Sequence, residues 1–242
     1  MVVVWKSCTF IQYATSLACV AKVAVMCNRY HPTRAEIIRA QWDLGEPATG
    51  DRTWRPGIGP WGQGPFIRVR SGLPELVVGT WASIGDDYRQ PVNRARSTNN
   101  ARWETIGQLK TYRGPWSRGQ RCLIPAERFD YPNWESGKNT WWTFRRADRE
   151  PWHLAGIWNS WTDPVTGEVF ESYSMVTMSC DAHSLLNRFH KPDPAVPMDQ
   201  QDKRTVVPLE VSDHRVWLTG SVEEASALVR LRPVELYDAR PD

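Results

Sequence analysis

An antiparallel hairpin is the sequence feature that most restricts the fold of this chain. Trp152–Trp158 and Glu168–Met178 have the apolar, β-branched and aromatic content typical of β-strands. Between them lies Asp163–Gly167, whose Asp-Pro-Val-Thr-Gly sequence consists of turn-forming residues. Together with a strand predicted at Trp141–Arg145, the two segments indicate an antiparallel meander.

Three further strands are predicted upstream of this hairpin. Phe66–Arg70 alternates between apolar and basic residues, and Leu76–Trp81 is mostly apolar. Arg121–Ala126 is an apolar strand that we expect to end at its proline. The segment Gly45–Gly64 is so rich in proline and glycine that it predicts an irregular loop.

Two capping boxes predict helix starts. Thr33 is followed three residues later by Glu36, and Ser221 is followed at the same spacing by Glu224. The buried side of the first helix is expected to carry Ile37, Ile38 and Trp42.

A third, short helix is predicted to place a histidine. Asp181 can cap this helix, and His190 stands at its end. The apolar side chains expected on one side of it are Leu185, Leu186 and Phe189. A polar loop, Lys191–Lys203, then separates His190 from Arg204.

The charge of the chain is unevenly distributed. The 242 residues suit one domain, and their net charge of +3 is too small to indicate nucleic acid binding by itself. A basic strip over residues 89–121 nevertheless sets eight basic residues against one acid, Glu104. Its basic members are Arg89, Arg94, Arg96, Arg102, Lys110, Arg113, Arg118 and Arg121. The strip is either a phosphate-facing surface or a solvated loop.

The cysteine content indicates a reducing compartment. The five cysteines are an odd number and include no Cys-x-x-Cys pair, which argues against a zinc site and against a disulfide framework. We therefore expect a cytoplasmic protein with no cofactor and no metal. No apolar run is long enough to span a bilayer.

The dipeptide Met26-Cys27 suggests a chemical role for the N-terminus. Residues 1–25 are irregular, and we expect them to be either a mis-called translation start or a removed extension. A chain that begins at Cys27 carries a 1,2-aminothiol, whose amine and thiol titrate near pH ~8 and ~8.5. Such a pair can condense with an aldehyde and close a thiazolidine ring. Within a longer chain, Met-Cys is more often a buried apolar pair.

Five motifs occur in an order that resembles the SOS response-associated peptidase (SRAP) family. They are Met26-Cys27-x-Arg29-Tyr30, Trp81 at a strand end, Asn100-Ala101-Arg102-x-Glu104-Thr105, Arg121–Ala126, and His190 before Arg204. The resemblance covers roughly Met26–Glu210 and implies covalent cross-linking to abasic sites in single-stranded DNA. It also implies an α+β fold, mainly an antiparallel sheet curled into a barrel-like core with flanking helices. Residues 26–242 would form that single domain.

The resemblance also implies roles for individual residues. Cys27 would be the nucleophile, Asn100 would hold the sugar or the cysteine backbone, and His190 would be the general acid/base. The DNA-binding residues would be Arg29, Trp81, Arg102 and Arg204. Taken alone, Asn100 could instead close a turn, and the arginines could be solvated.

One acidic position departs from the family pattern. The family glutamate that is thought to activate the cysteine stands six residues after the proline of Leu-Ile-Pro, and here that residue is Tyr131. We expect its neighbour Asp130 to take the role, although a shift of one residue along a strand turns a side chain to the opposite face. Glu127 is the alternative acid.

The resemblance therefore implies an abasic-site sensor, expected to be a monomer, with autoproteolytic thiol peptidase activity and Schiff-base chemistry. Its partner is single-stranded DNA, and no membrane partner is expected. Two other functions stay open: a cysteine peptidase acting in trans, and a non-catalytic single-stranded DNA-binding module.

Overall fold

The computed structural model describes residues 28–44, 54–83 and 98–242 of the chain. Four features of the sequence analysis lie outside the described residues: the extension 1–25, the dipeptide Met26-Cys27, residues 45–53 of the predicted loop, and the arginines of the basic strip at positions 89, 94 and 96.

The described residues form eleven strands and four α-helices. The strands are β1 Tyr30–Pro32, β2 Gln63–Arg70, β3 Leu73–Trp81, β4 Asn100–Arg102, β5 Arg121–Asn133, β6 Thr140–Arg146, β7 Trp152–Thr162, β8 Val169–Ser179, β9 Arg204–Val206, β10 Pro208–Leu209 and β11 Tyr237–Pro241. The helices are α1 Ala35–Trp42, α2 Lys110–Ser117, α3 His214–Thr219 and α4 Val222–Ala227.

Five of the strands close into a barrel. β2 pairs with β3, β3 with β8, β8 with β7, β7 with β5, and β5 again with β2. All of these pairs are antiparallel except β3–β8, which is parallel. The expected α+β fold with a barrel-like, mainly antiparallel sheet is confirmed, and so is the predicted β7–β8 hairpin.

Strand β5 does not end at its proline, and the prediction that it does was wrong. β5 runs for 13 residues, pairing with β7 from Arg121 to Ala126 and with β6 from Phe129 to Asn133. Pro125 lies within the half of β5 that pairs with β7, opposite His153, and β5 changes partners only after Ala126. Because β6 and β7 pair with different halves of β5, the predicted three-stranded meander is limited to β7 and β8.

The core has two parts, on the two faces of the barrel wall. Cys122 and Ile124 of β5 belong to one cluster, whereas Leu123 between them belongs to the other. The second cluster also contains Ile38, Trp116 and Trp217 from the helices, so it lies between the barrel and its helical cover. The first cluster therefore fills the barrel interior, since successive strand residues point to opposite faces.

The predicted helix starts are confirmed in part. Ser221 and Glu224 form the predicted capping box of α4. Helix α1 is present, but its N-cap is Arg34 and no side chain caps it, so the predicted Thr33 box was wrong. The helices have six or eight residues, and within the described ranges none is long and apolar enough to cross a membrane.

The prediction of Asp181 as a helix cap was also wrong. The segment before His190 is a single 3-10 turn, Leu186–Arg188, and the Nδ1 atom of His183 accepts the N–H groups of residues 185 and 186. The Asp181 carboxylate instead accepts the backbone N–H groups of Asp202 and Lys203, at 2.9 Å each. It thereby fixes the backbone at the end of the polar loop Lys191–Lys203.

Glycine at position 64 is required by close packing inside the barrel. The Tyr30 and Tyr173 hydroxyls form a hydrogen bond of 2.5 Å, and a Cβ atom at Gly64 would collide with both. We expect Gly64→Ala to lower the free energy of unfolding by about 1–3 kcal/mol, the usual cost of overpacking. Urea denaturation measures this effect.

Gly107→Ala is the matched control, because its new Cβ atom would meet only Trp116, at 3.7 Å. We expect it to change stability by less than about 0.5 kcal/mol. Equal stabilities of the two variants would contradict the packing argument.

Candidate functional site

His190 is held as a neutral imidazole with one defined tautomer. Its Nε2 atom lies 2.9 Å from the backbone oxygen of Arg204, and a carbonyl oxygen only accepts, so Nε2 carries the proton. Nδ1 then has a lone pair, and it has no hydrogen-bond partner among the described residues. Burial lowers the pKa of His190 to about 4, so the ring is neutral at pH 7. The ring is therefore prepared to accept a proton at Nδ1.

The backbone of His190 is also constrained. Its φ angle is 65°, in the left-handed region that residues other than glycine rarely adopt. The His190 N–H donates to Pro132 O at 2.7 Å, and Lys203 Nζ donates to His190 O at 3.1 Å. Strain of this kind persists where the surroundings over-determine the conformation, and it concentrates at functional sites.

Tyr131 lies beside the histidine. The two ring centroids are 4.7 Å apart, and the Tyr131 hydroxyl accepts the Val206 N–H at 3.0 Å. The family glutamate position therefore does face His190, but in this chain it carries a phenol that is bonded to β9.

Asp130 points to the opposite face of β5. Its carboxylate accepts from Arg29 Nε at 2.5 Å and Thr143 Oγ1 at 2.8 Å, and it lies 2.9 Å from His31 Nε2. Burial alone would raise the pKa of Asp130, but the hydrogen bonds from His31, Thr143 and Arg29 outweigh it and lower the pKa. The structure thus joins Asp130 to Arg29 and does not bring it to His190. Glu127, the alternative acid, is half-buried where β5 changes partners.

The Asn100 motif lies on β4, parallel to β8. Asn100 is buried opposite Met175, and its backbone oxygen accepts the Tyr112 hydroxyl at 3.1 Å. Arg102 is partly exposed, and its Nη1 donates to Asp202 Oδ2 at 2.7 Å. The pairing positions Arg102 at the end of the loop that follows His190.

Arg204 and Trp81, both predicted to bind DNA, are buried. The Arg204 side chain is 2% exposed and forms a bidentate pair with Glu104, at 2.9 and 2.6 Å. The Trp81 ring packs edge-on against Tyr30 in the barrel interior and donates to Asn99 O at 2.8 Å. In this structure the two side chains join elements of the fold, and neither is presented at the surface.

Arg29 is the more exposed of the predicted arginines. Its guanidinium lies 4.8 Å from the centre of the Trp141 ring and donates to Asp242 Oδ2 at 2.9 Å, in addition to its bond with Asp130. The side chain is 36% exposed, so Arg29 can offer charge to a ligand.

An open cavity of about 460 Å³ adjoins His190. Its wall includes Trp134, Glu135, Arg188 and Lys203. Arg188 pairs with Glu135 through two contacts of 2.8 Å each. The volume is in the range of small-molecule sites and accommodates a sugar-phosphate unit.

Sequence analysis missed Trp134, Arg188 and Lys203. The signals available were a tryptophan next to an acid and basic residues on both sides of His190. Within the ranges that the structure describes, no cluster of three or more His, Cys, Asp or Glu side chains could hold a metal ion.

Comparison with known proteins places this chain in a family. Residues 26–240 match the family described as SOS response associated peptidase (SRAP). The abasic site processing protein HMCES of Xenopus tropicalis is 25% identical over 192 residues, which is 72% of this chain and 52% of that protein. HMCES of Gallus gallus is 23% identical over 166 residues, 57% of this chain and 49% of that protein. The chain thus spans about half the length of these relatives.

Solved structures share the fold. A crystal structure of a Bordetella bronchiseptica protein superposes with a TM-score of 0.77 at 28% identity, covering 89% of this chain and 99% of that chain. A Bacteroides thetaiotaomicron protein superposes with a TM-score of 0.71 at 20% identity, covering 89% and 91%. The barrel with its helical cover is therefore a recurring architecture.

Three buried histidines make stability depend on pH. Burial lowers the pKa of His153 to about 3, and those of His190 and His214 to about 4. In the unfolded chain these groups titrate near pH ~6.5, so the unfolded state binds more protons between pH ~6.5 and ~4. The contribution of these histidines to the free energy of unfolding is complete above this window and is lost as the pH falls through it.

We expect a loss of about 1–2 kcal/mol per histidine between pH 7 and pH 5, measured by urea denaturation at both values. His190→Gln, which removes one of the three groups, should show a smaller loss. A free energy of unfolding that is equal at both pH values would refute the assignment of neutral buried rings.

Proposed function

This chain belongs to the SOS response associated peptidase family, and from that premise we propose that it acts on abasic sites in single-stranded DNA and cross-links to them through Cys27. The observation that carries the proposal is the neutral His190, whose Nδ1 lone pair is unpartnered among the described residues and which lines a cavity of nucleotide size. The abasic site processing proteins that match the chain support the substrate class.

The cross-link forms in two steps at the C1 aldehyde of the ring-opened sugar. The Cys27 amine adds to the aldehyde carbon, and loss of water gives an imine. The Cys27 sulfur then adds to the same carbon, and its proton passes to the nitrogen, which closes a thiazolidine. The ring lacks the ready β-elimination route of an imine, so the linkage protects the strand.

His190 opens the sugar. A closed abasic sugar is a hemiacetal, and its conversion to the aldehyde moves a proton from the C1 hydroxyl to the ring oxygen. With Nε2–H bonded to Arg204 O, the acceptor is Nδ1, which takes the proton and returns it. With a pKa of about 4 the ring is neutral at pH 7 and accepts the proton as a weak base.

The chemistry requires that Cys27 has a free amine. A peptide nitrogen is too weak a nucleophile, so residues 1–26 must be absent from the active protein. Cleavage before Cys27 by the protein itself is the autoproteolytic activity that we include in the proposal. The active protein is a monomer that binds one abasic site at a time.

DNA capture depends on cations around the site. Arg29 and Arg102 are partly exposed, and each is paired with an exposed carboxylate, Asp242 and Asp202, that a phosphate can replace. Arg204 supports the site from within, because it joins Glu104 of the Asn100 motif to β9.

Variants at Cys27 and His190 distinguish formation of the imine from closure of the thiazolidine ring. On a chain beginning at residue 27, Cys27→Ser keeps the amine, so we expect an adduct with an abasic oligonucleotide that survives only after borohydride reduction. His190→Ala should slow formation of the stable adduct by roughly 10²–10⁴-fold without abolishing it. A denaturing gel over time, with and without reductant, measures both effects.

The control is the intact mass of the parent protein, which shows whether its chain begins at Cys27. A stable cross-link with Cys27→Ser in the absence of reductant would refute the thiazolidine. Binding that is unaffected by any change at Cys27, without covalent product, would indicate a non-catalytic module. Cleavage of added peptides by the parent would indicate a peptidase acting in trans.

Replacement of Arg102 tests DNA capture. We expect Arg102→Ala to weaken binding of single-stranded DNA by about 1–3 kcal/mol and to reduce its salt dependence, since a charge-assisted phosphate contact is lost. Arg240→Ala is the matched control, because Arg240 is also paired with an aspartate, Asp238 at 2.7 Å, on β11. Equal salt slopes for the parent and Arg102→Ala would remove Arg102 from the interface.

A further inference from the structure

Lys203 is an amine that the proposed reaction leaves unused, although it lies in the same cavity. The residue is 6% exposed and shares the cavity wall with His190. Its Nζ atom donates to the backbone oxygen of His190 at 3.1 Å. The amine is therefore fixed next to the histidine.

The backbone around Lys203 is well anchored. The Lys203 N–H donates to Asp181 Oδ1 at 2.9 Å, and the Lys203 oxygen accepts the N–H of Cys180 at 2.8 Å. The next residue begins β9. These contacts fix the Lys203 backbone, and the bond from Nζ to His190 O orients the side chain, as a nucleophile needs for a productive approach.

The surroundings make the Lys203 amine less basic. Burial lowers the pKa of the Lys203 ammonium, although the nearby carboxylates of Asp181 and Glu135 oppose this shift. Desolvation is the usual means by which a lysine becomes nucleophilic toward carbonyl groups. His190 lines the same cavity, and its buried Nδ1 atom has no hydrogen-bond partner among the described residues.

We propose that Lys203 is a second amine nucleophile of this site, which captures aldehydes in the cavity as a Schiff base. The inference rests on the proposed function, because the aldehyde it would meet there is that of the abasic sugar. The Lys203 nitrogen adds to C1, and the carbinolamine loses its hydroxyl together with the remaining amine hydrogen as water. Water returns both partners by the reverse path. The capture is thus reversible and needs no reductant.

This second capture matters when Cys27 cannot react. If its nitrogen is in a peptide bond or its thiol is modified, no thiazolidine forms at residue 27. Lys203 then holds the lesion through a hydrolysable bond, and a free Cys27 amine later replaces it by exchange at the same carbon.

The test is to trap the imine in the full chain carrying Cys27→Ala, which has neither a thiol nor a free amine at position 27. The protein is incubated with an abasic single-stranded oligonucleotide and borohydride, and the reduced linkage is located by peptide mass mapping. We expect the linkage at Lys203, and its loss in Lys203→Arg, which keeps the charge. Lys191→Arg is the matched control, since Lys191 is exposed nearby, 5.0 Å from the centre of the Trp134 ring.

Several outcomes would overturn the proposal. Linkage at Lys191, at another lysine or at the Met1 amine would do so, and so would an unchanged yield in Lys203→Arg. Mapping uses the chain with Lys203 intact, so it is decisive even if Lys203→Arg misfolds. If the parent chain forms the stable adduct while Cys27→Ala yields no trapped imine, the role of Lys203 is refuted and the proposed function is not. Failure of every chain to react would instead refute the proposed function.

Discussion

Strand β5 is the constraint on which the rest of the structure depends. It closes the barrel because it pairs with both β2 and β7, and its second half then leaves the barrel wall to pair with β6. A single extended segment of 13 residues thereby joins the barrel to the outer sheet of β6 and β11. The site lies on the second half, where Pro132 O fixes the backbone of His190.

The alternation of side chains along β5 separates two acid–base environments. Asp130 and Tyr131 are adjacent, so they point to opposite faces. Asp130 anchors Arg29 and His31, next to the first described residues, whereas Tyr131 contacts His190 and β9. Position 131, next to His190, carries a phenol and not a carboxylate, and the histidine is kept neutral chiefly by burial. In the proposed mechanism, proton transfer therefore depends on the imidazole.

The site is built at a cost to stability that its neighbours offset. His190 combines a left-handed backbone with a buried ring, and each of these costs about 1–3 kcal/mol when unsupported. Pro132, Lys203 and Arg204 each contribute a backbone or side-chain hydrogen bond to it. Glu104 in turn neutralises Arg204 through a bidentate pair. Hydrogen bonds and an ion pair therefore join the motifs around Asn100, His190 and Arg204 into one structural unit, although they are distant in sequence.

The sequence by itself determined the local elements: the β7–β8 hairpin through its turn residues, strands β2 and β3 through their apolar patterns, and the start of α4 through its capping box. These depend on neighbouring residues, so their physics is contained in a short window. The ordered motifs also identified the family. Only the tertiary structure decided that β5 continues past Pro125, that Trp81 and Arg204 are buried, and that Lys203 stands beside His190. Each of these depends on a partner far along the chain, and no local pattern specifies which distant strand will supply it.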